Sequence, residues 1–276
     1  MNRISFLGVI VADGCNPNGD PVVNNMPRQD YEGHGLISPD CIRRKLRNRL
    51  AEMGAEIFCQ NQYTAGYDGY RSLAARAEAA FPKNLGSAEL RAAACEKWID
   101  VRAFGQVFSF SAKKAKEEGT GNASVGVRGP VSVSGARSLD VVIPQCLDIV
   151  TTALSSEKQK GTLTFGHRYV VNHAAYVFTG GICPQPASLT GFSEADAELI
   201  HDALRHMYDN DASYQRPEGS IVLHRLLWWE HSSPNGSVNP VQLFRSVELH
   251  PLDVWPYYSL TLTREFRGVT LDDFSL

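Results

Sequence analysis

Ile4 to Val11 is a nearly unbroken apolar run with β-branched residues, and Asp13-Gly14 closes it. A run of that length, ended by a turn signal, reads as a buried first strand. The residues that follow constrain the fold more tightly. "DGCNPNGDPVVNNMPRQD", from Asp13 to Asp30, is so dense in Pro, Gly, Asn and Asp that neither strand nor helix accommodates it. A chain that leaves its first strand in this way must carry a long, turn-built loop before its next element. The loop is either a solvated structural connection held by Asx turns or a ligand-holding loop.

The next element is unambiguous. "SPDCIRRKLRNRLAEMG" begins with Ser38 as N-cap, Pro39 at the first helical position and Asp40 in the first turn, and Gly54 suits the C-terminal cap. Residues 60–100 read as polar helices, "RSLAARAEAAF" and "SAELRAAACEKWI", separated by Pro82 and Gly86. "DVRAFGQVFSF" reads as a strand, "SAKKAKEEGTGNAS" as a charged loop, and "VGVRGPVSVSGARSLDVV" as a return to strand. The segment 143–166 is polar, with "SSEKQKGT" at an expected hairpin tip, before "RYVVNHAAYVFTGGI" resumes an apolar pattern. "FSEADAELIHDALRHMYDND" is the second convincing helix, with Ser193 and Asp196 as a capping box and Leu199, Leu204 and Met207 in its buried stripe. "SIVLHRLLWWEH" is a strand, and "SVELH" and "YYSLTLTREF" are shorter ones.

The strong elements therefore run β, α, β, β, α, β. This is the ferredoxin-like order, shared with RNA-recognition-motif sheets, and it predicts an α+β fold. Long insertions are expected after the first helix and after the third strand. No repeat and no linker divides the 276 residues, which suffice for one sizeable core.

Composition narrows the partners. No apolar run approaches the roughly 20 residues of a membrane helix, and the N-terminal run is too short for a signal peptide. Six scattered cysteines without a CxxC pair argue for reduced thiols in a cytoplasmic protein rather than a disulfide or zinc scaffold. A net charge of −3 argues against a generally basic nucleic-acid binder but permits a local basic groove.

Such a groove has a candidate. At about 100° per residue, Ile42, Leu46, Leu50 and Met53 share one side of the first helix. Arg44 and Asn48 lie opposite, with Arg43 and Arg47 on one flank and Lys45 and Arg49 on the other. Like charges at that spacing each cost a few tenths of a kcal/mol, a cost that phosphates reverse; a solvated face paired with acids elsewhere is the alternative. The opening loop points the same way, because tight turns around Gly19 aim N–H groups outward and Arg28 offers a guanidinium. Asp13, Asp20 and Asp30 can alternatively hold a divalent metal for phosphodiester cleavage, although they share no metal-loop spacing. "RAFGQVFSF" overlaps the RNA-recognition signature at Arg102, Phe104, Gly105 and Val107 but lacks aromatics at Gln106 and Ser109, so Phe104 and Phe108 read as core. The eight histidines form no metal or catalytic motif, and no P-loop, GxSxG or GxGxxG is present.

"NPNGDPVVNNMPRQDYEGHGLISPDCIRRKLRN" closely resembles the opening of the CRISPR-associated Cas-seven family. "DVRAFGQVF", "GVRGPVSVSGARSLD", "TGFSEADAELIHDAL" and "NDASYQRPEGSIVLHRLLWWEHSSPNG" extend the likeness to about residue 250. The form it looks most like is the type I-C backbone subunit of the Cascade complex. The resemblance implies a single palm domain over 1–276, a modified RNA-recognition motif with helical fingers at about 55–98 and a β-hairpin thumb at about 139–172. It implies a non-catalytic protein without cofactor or metal. Such a protein stacks head to tail with further copies of itself along a CRISPR RNA, beside other Cascade subunits, and leaves bases free to pair with a target DNA strand. Asn18, Gly19, Arg28, Arg44, Lys45, Arg49, Arg137, Ser138, His167 and Arg168 are then the expected contacts to the RNA backbone, with Leu163 or Phe165 as wedges against a displaced base. Related subunits cleave target RNA with a loop aspartate, and Asp20 or Asp30 invites that comparison; the type I-C likeness argues against it.

Overall fold

The computed structural model describes residues 1–82, 85–108, 124–151 and 164–276. β1 spans Ile4–Cys15, and the turn-rich stretch after it folds into the short strands β2 (Gly19–Asp20), β3 (Met26–Pro27) and β4 (His34–Ile37). α1 (Pro39–Glu52) follows, then α2 (Leu73–Ala80), α3 (Ser87–Lys97) and α4 (Ile99–Phe104). Next come β5 (Gln106–Phe108), β6 (Val125–Val127), β7 (Val131–Val133), β8 (Ala136–Val141), β9 (Gln145–Thr151) and β10 (Thr164–Ile182). α5 (Pro184–Thr190) and α6 (Glu194–Arg205) lead into β11 (Ile221–His231). The chain closes with α7 (Pro240–Arg245), β12 (Val247–Pro251), β13 (Tyr258–Leu262) and β14 (Val269–Ser275).

The main sheet runs β14-β11-β1-β10-β8-β4, and each of these pairings is antiparallel. With α1 after β1 and α6 before β11, the units β1-α1-β8-β10-α6-β11 give the expected β-α-β-β-α-β order. Two of its strands are not those expected from the sequence. "DVRAFGQVFSF" is the helix α4 followed by the three-residue β5, and β5 pairs with β6 outside the main sheet. A short apolar run does not distinguish helix from strand; here Gly105, at φ +82°, ends the helix. A Cβ on Gly105 would lie 2.5 Å from the Val127 carbonyl oxygen, so glycine also lets the two backbones touch. "VGVRGPVSVSGARSLDVV" is not one strand but β6, β7 and β8, and β14 is an edge strand that the sequence reading did not assign.

β1 buries both of its faces. On one side Phe6 and Ile10 join Ile42, Leu46 and Leu50 of α1, Ile200 and Leu204 of α6, and Trp228. On the other, Leu7, Val9 and Val11 join Leu227 and Trp229 under Leu243 of α7 and Tyr258 of β13. A separate core, around Phe58, Trp98, Phe108 and Val125, supports α2 and α3 in the region of the first insertion.

β10 is the longest element. Its 19 residues extend over roughly 60 Å at strand rise. Thr164–Val170 pairs with β9, and from Val171 onward the strand pairs with β1. One continuous strand thus belongs to a two-stranded hairpin at one end and to the core sheet at the other. The expected hairpin tip, "SSEKQKGT", and Leu163 lie outside the described residues, as does the side chain of Phe165. Among the described residues no helix is long and apolar enough to cross a membrane.

Candidate nucleic-acid interface

The opening loop is clamped to the start of α1. Asn18 Oδ1 accepts from the Ser38 backbone N–H at 2.8 Å, and the Asn18 carbonyl accepts from the Arg28 N–H at 3.0 Å. Gly19 pairs with Pro27, and a Cβ there would meet Asn25 Oδ1 at 1.9 Å. Asn24 and Asn25 turn the chain with φ of 48° and 61°, a region asparagine tolerates better than most residues. Asp20 accepts from the Val22 N–H and from Arg28 Nη1 at 3.2 Å. Asp30 Oδ1 accepts from the N–H groups of Glu32 and His34. The loop is therefore built by Asx turns, and its tip exposes Val22.

Every cation of α1 has an internal partner. Arg43 pairs with Asp40, Arg47 Nε donates to Asp100 at 2.9 Å, and Arg49 pairs with Glu52 at 3.2 Å. Arg44 Nη1 donates to the Cys59 carbonyl at 2.6 Å, and burial lowers the Arg44 pKa. Lys45 corrects the sequence reading most plainly. It is 6% exposed, and its ammonium is bonded to Asp211, which Arg216 also holds at 2.7 Å. Burial first, then the nearby Arg216 charge, push the Lys45 pKa down, while Asp211 opposes them. The physical reason lies in a loop, residues 206–216, that folds over this flank of the helix.

Ser138 is the second correction. It is 2% exposed; its hydroxyl accepts from the Gly35 N–H at 2.8 Å and donates to the Asp140 carbonyl. Its neighbour Arg137 points outward, 46% exposed at the side chain, and bridges Asp30 at 2.7 Å and Glu32 at 2.5 Å. The Arg137 hydrogen bond holds the Asp30 carboxyl below the usual carboxylate range. His167 Nδ1 lies 2.9 Å from Asp148 across the hairpin.

Arg168 differs from the other expected cations. Among the described residues neither a carboxylate nor a carbonyl holds it; its guanidinium lies over the Tyr214 ring at 4.9 Å, and its Nε is buried without a hydrogen bond. Tyr214 is 61% exposed. Asn16 N–H donates to the Gln215 carbonyl at 2.9 Å. The opening loop, the flank of α1, the hairpin's return at Arg168 and the loop carrying Tyr214 and Arg216 therefore meet at one place. Tyr214, Asp211 and Arg216 went unassigned in the sequence, although the turn-rich "NDASYQRPEG" around them carried the signal.

Two other places in the fold carry no such site. The sheet face that bears stacked bases in an RNA-recognition motif is here covered by α7 and β13. Ser5 Oγ lies 3.1 Å from His231 Nε2, but His231 Nδ1 accepts the Ser237 N–H at 3.0 Å. The ring proton therefore sits on Nε2 and is donated to Ser5, the wrong direction for activating a nucleophile.

Residues 2–271 match the family model for CRISPR-associated protein Cas7. The chain belongs to this Cas7 family. A CRISPR-associated protein Cas7 of Haloferax volcanii is 28% identical over 216 residues, covering 72% of this chain and 62% of that protein. The chain thus spans under two thirds of the length of that Cas7 relative. Among solved structures, a chain of a CRISPR RNA-guided surveillance complex in a pre-nicking state superposes with a TM-score of 0.53 at 10% identity, covering 83% of this chain and 78% of that one. At that identity the likeness is one of fold.

Proposed function

We propose that this Cas7 protein is the backbone subunit of a type I-C Cascade complex. It holds the spacer of a CRISPR RNA by its sugar-phosphate strand, stacks head to tail with further copies beside other Cascade subunits, and leaves bases free for a target DNA strand. The family match over nearly the whole chain carries this reading. A guide of arbitrary sequence must be gripped by its backbone. The junction around Arg168 and Tyr214 supplies a guanidinium with no acidic partner among the described residues, a partly exposed aromatic face and the anchored turns of the opening loop. The region of α2 and α3 serves as the fingers and the β9–β10 hairpin as the thumb. The protein is cytoplasmic and not an enzyme; Asp20 and Asp30, the aspartates a ribonuclease reading needs, are each occupied by an arginine, Arg28 and Arg137.

Lys45 and Ser138 drop out of the contact surface and act as supports. Asn18 and Gly19 shape the loop. Arg28, Arg44, Arg49, Arg137 and Arg168 remain as phosphate donors, the first four by exchanging an internal acceptor for a phosphate. The protein co-expressed with a CRISPR array should purify with RNA whose release by salt follows a steep log–log slope and is indifferent to spacer sequence. Protein free of nucleic acid under those conditions would remove the proposal, and metal-dependent cleavage lost in Asp20→Ala would replace it with the ribonuclease reading.

A further inference from the structure

Cys146, Asp148 and His167 stand on one face of the β9–β10 hairpin. Asp148 and His167 are direct cross-strand partners, and Cys146 lies two residues before Asp148, hence on the same side of the ribbon. Their potential ligand atoms all lie within 4.8 Å of one another, with His167 Nδ1 already 2.9 Å from Asp148 Oδ1. Among the described residues no other trio of His, Cys, Asp or Glu side chains meets in this way. Cys146 is also the exposed cysteine of the six, whereas burial raises the Cys15 and Cys59 thiols to about 11 and so disfavours their thiolates. Tyr169, opposite Cys146 in the register, completes that face.

We infer that Cys146, Asp148 and His167 form a zinc site that clips β9 to β10. One sulfur, one imidazole nitrogen and one carboxylate oxygen suit a borderline-soft ion in tetrahedral geometry, with ligand bonds of about 2.0–2.3 Å and water in the fourth position. Such bonds set neighbouring ligand atoms about 3.5 Å apart. The three side chains are exposed and their ligand atoms already lie within 4.8 Å of one another, close to that spacing. Binding releases the thiol proton and any proton shared by His167 and Asp148. The ion also gives the hairpin what its sequence lacks: a two-stranded ribbon is marginal alone, and a cross-strand clip stiffens it where it leaves the core sheet. It further offsets the negative charge of Asp148, which an RNA strand would otherwise meet.

The test is a cobalt titration of the full-length protein under a non-thiol reductant, followed by zinc competition. The expected result is one equivalent of cobalt with a near-ultraviolet thiolate charge-transfer band and tetrahedral visible bands, both removed by zinc. Cys146→Ser should abolish the charge-transfer band, Asp148→Asn and His167→Gln should weaken cobalt binding at least about tenfold, and Cys183→Ser should change nothing. Zinc should also slow amide exchange in residues 145–151 and 166–170. No band in the wild type, a band that survives Cys146→Ser, or one indifferent to both Asp148→Asn and His167→Gln would each overturn the site. None of these readouts depends on RNA, so its failure leaves the backbone-subunit reading untouched.

Discussion

The Arg168 guanidinium carbon sits over the Tyr214 ring, 4.9 Å from its centre, and joins the base of the hairpin to the loop after α6. A guanidinium held over an aromatic ring can still offer its terminal nitrogens to a phosphate. Arg168→Glu should therefore lower guide-RNA affinity about tenfold or more, near 1.4 kcal/mol. Arg168→Lys should fall between, because an ammonium neither stacks nor forks as a guanidinium does. Filter binding at two salt concentrations checks this; an unchanged affinity and salt slope in Arg168→Glu would place the RNA elsewhere.

Lys45 is buried and pairs with the half-buried Asp211, which keeps Arg216 when Lys45 is lost. Lys45→Met should destabilise the protein by about 1–3 kcal/mol, and Asp211→Leu, which removes the partner of both Lys45 and Arg216, by about 3–5 kcal/mol. Urea denaturation reads both. At temperatures where the variant remains folded, its RNA affinity should match that of the wild type. A stable Lys45→Met protein that fails to hold RNA would return Lys45 to the interface.

Asp100 is 1% exposed and accepts from Arg47 Nε, from the Phe58 N–H at 2.7 Å and from the Cys59 N–H at 3.0 Å. It ties α1 to the chain that enters the α2–α3 region. Asp100→Ala leaves those donors buried and unpaired and should cost about 3 kcal/mol or more. Limited proteolysis should then cut first within residues 60–82 while the sheet core persists. Cleavage spread evenly along the chain would deny this local role.

His201 is stacked on Trp228 at 4.2 Å, and its pKa is lowered to about 4, first by burial and then by Arg205; Asp272 and Asp202 oppose these. In the unfolded chain the group titrates near about 6.5, so between these values the unfolded state binds more protons. The stabilising contribution is complete above about pH 6.5 and is lost as the pH falls towards about 4. It amounts to up to about 3 kcal/mol. His201→Gln should flatten that part of the stability–pH curve, as followed by chemical denaturation at stepped pH. An unaltered curve would assign the acid sensitivity to other groups, such as His224 and His231, whose pKa values burial also lowers.

The parts legible in the sequence were those written locally. Ser38 caps α1 and Ser193 with Asp196 forms the capping box of α6, because side-chain oxygens and backbone N–H groups settle those ends by themselves. The β-α-β-β-α-β order was also readable, although two of its strands were misplaced, since α4 and the strands around it are short apolar runs whose fate depends on distant partners. The charge pattern of α1 misled for the same reason. Its cations are correctly seen as too many for solubility, but Asp100 and Asp211, which hold Arg47 and Lys45, lie far along the chain. Arg168 was found only through family likeness, and its partner Tyr214 was not found.

Because β10 passes without interruption from the hairpin into the middle of the sheet, the hairpin has no pivot. It behaves as a cantilever rooted beside β1, and its direction is an extension of the sheet's own twist. Whatever it reaches over is then positioned by the packing of Cys15, Val171 and Ala174 at the root, so the hairpin's aim is written in the core of the sheet.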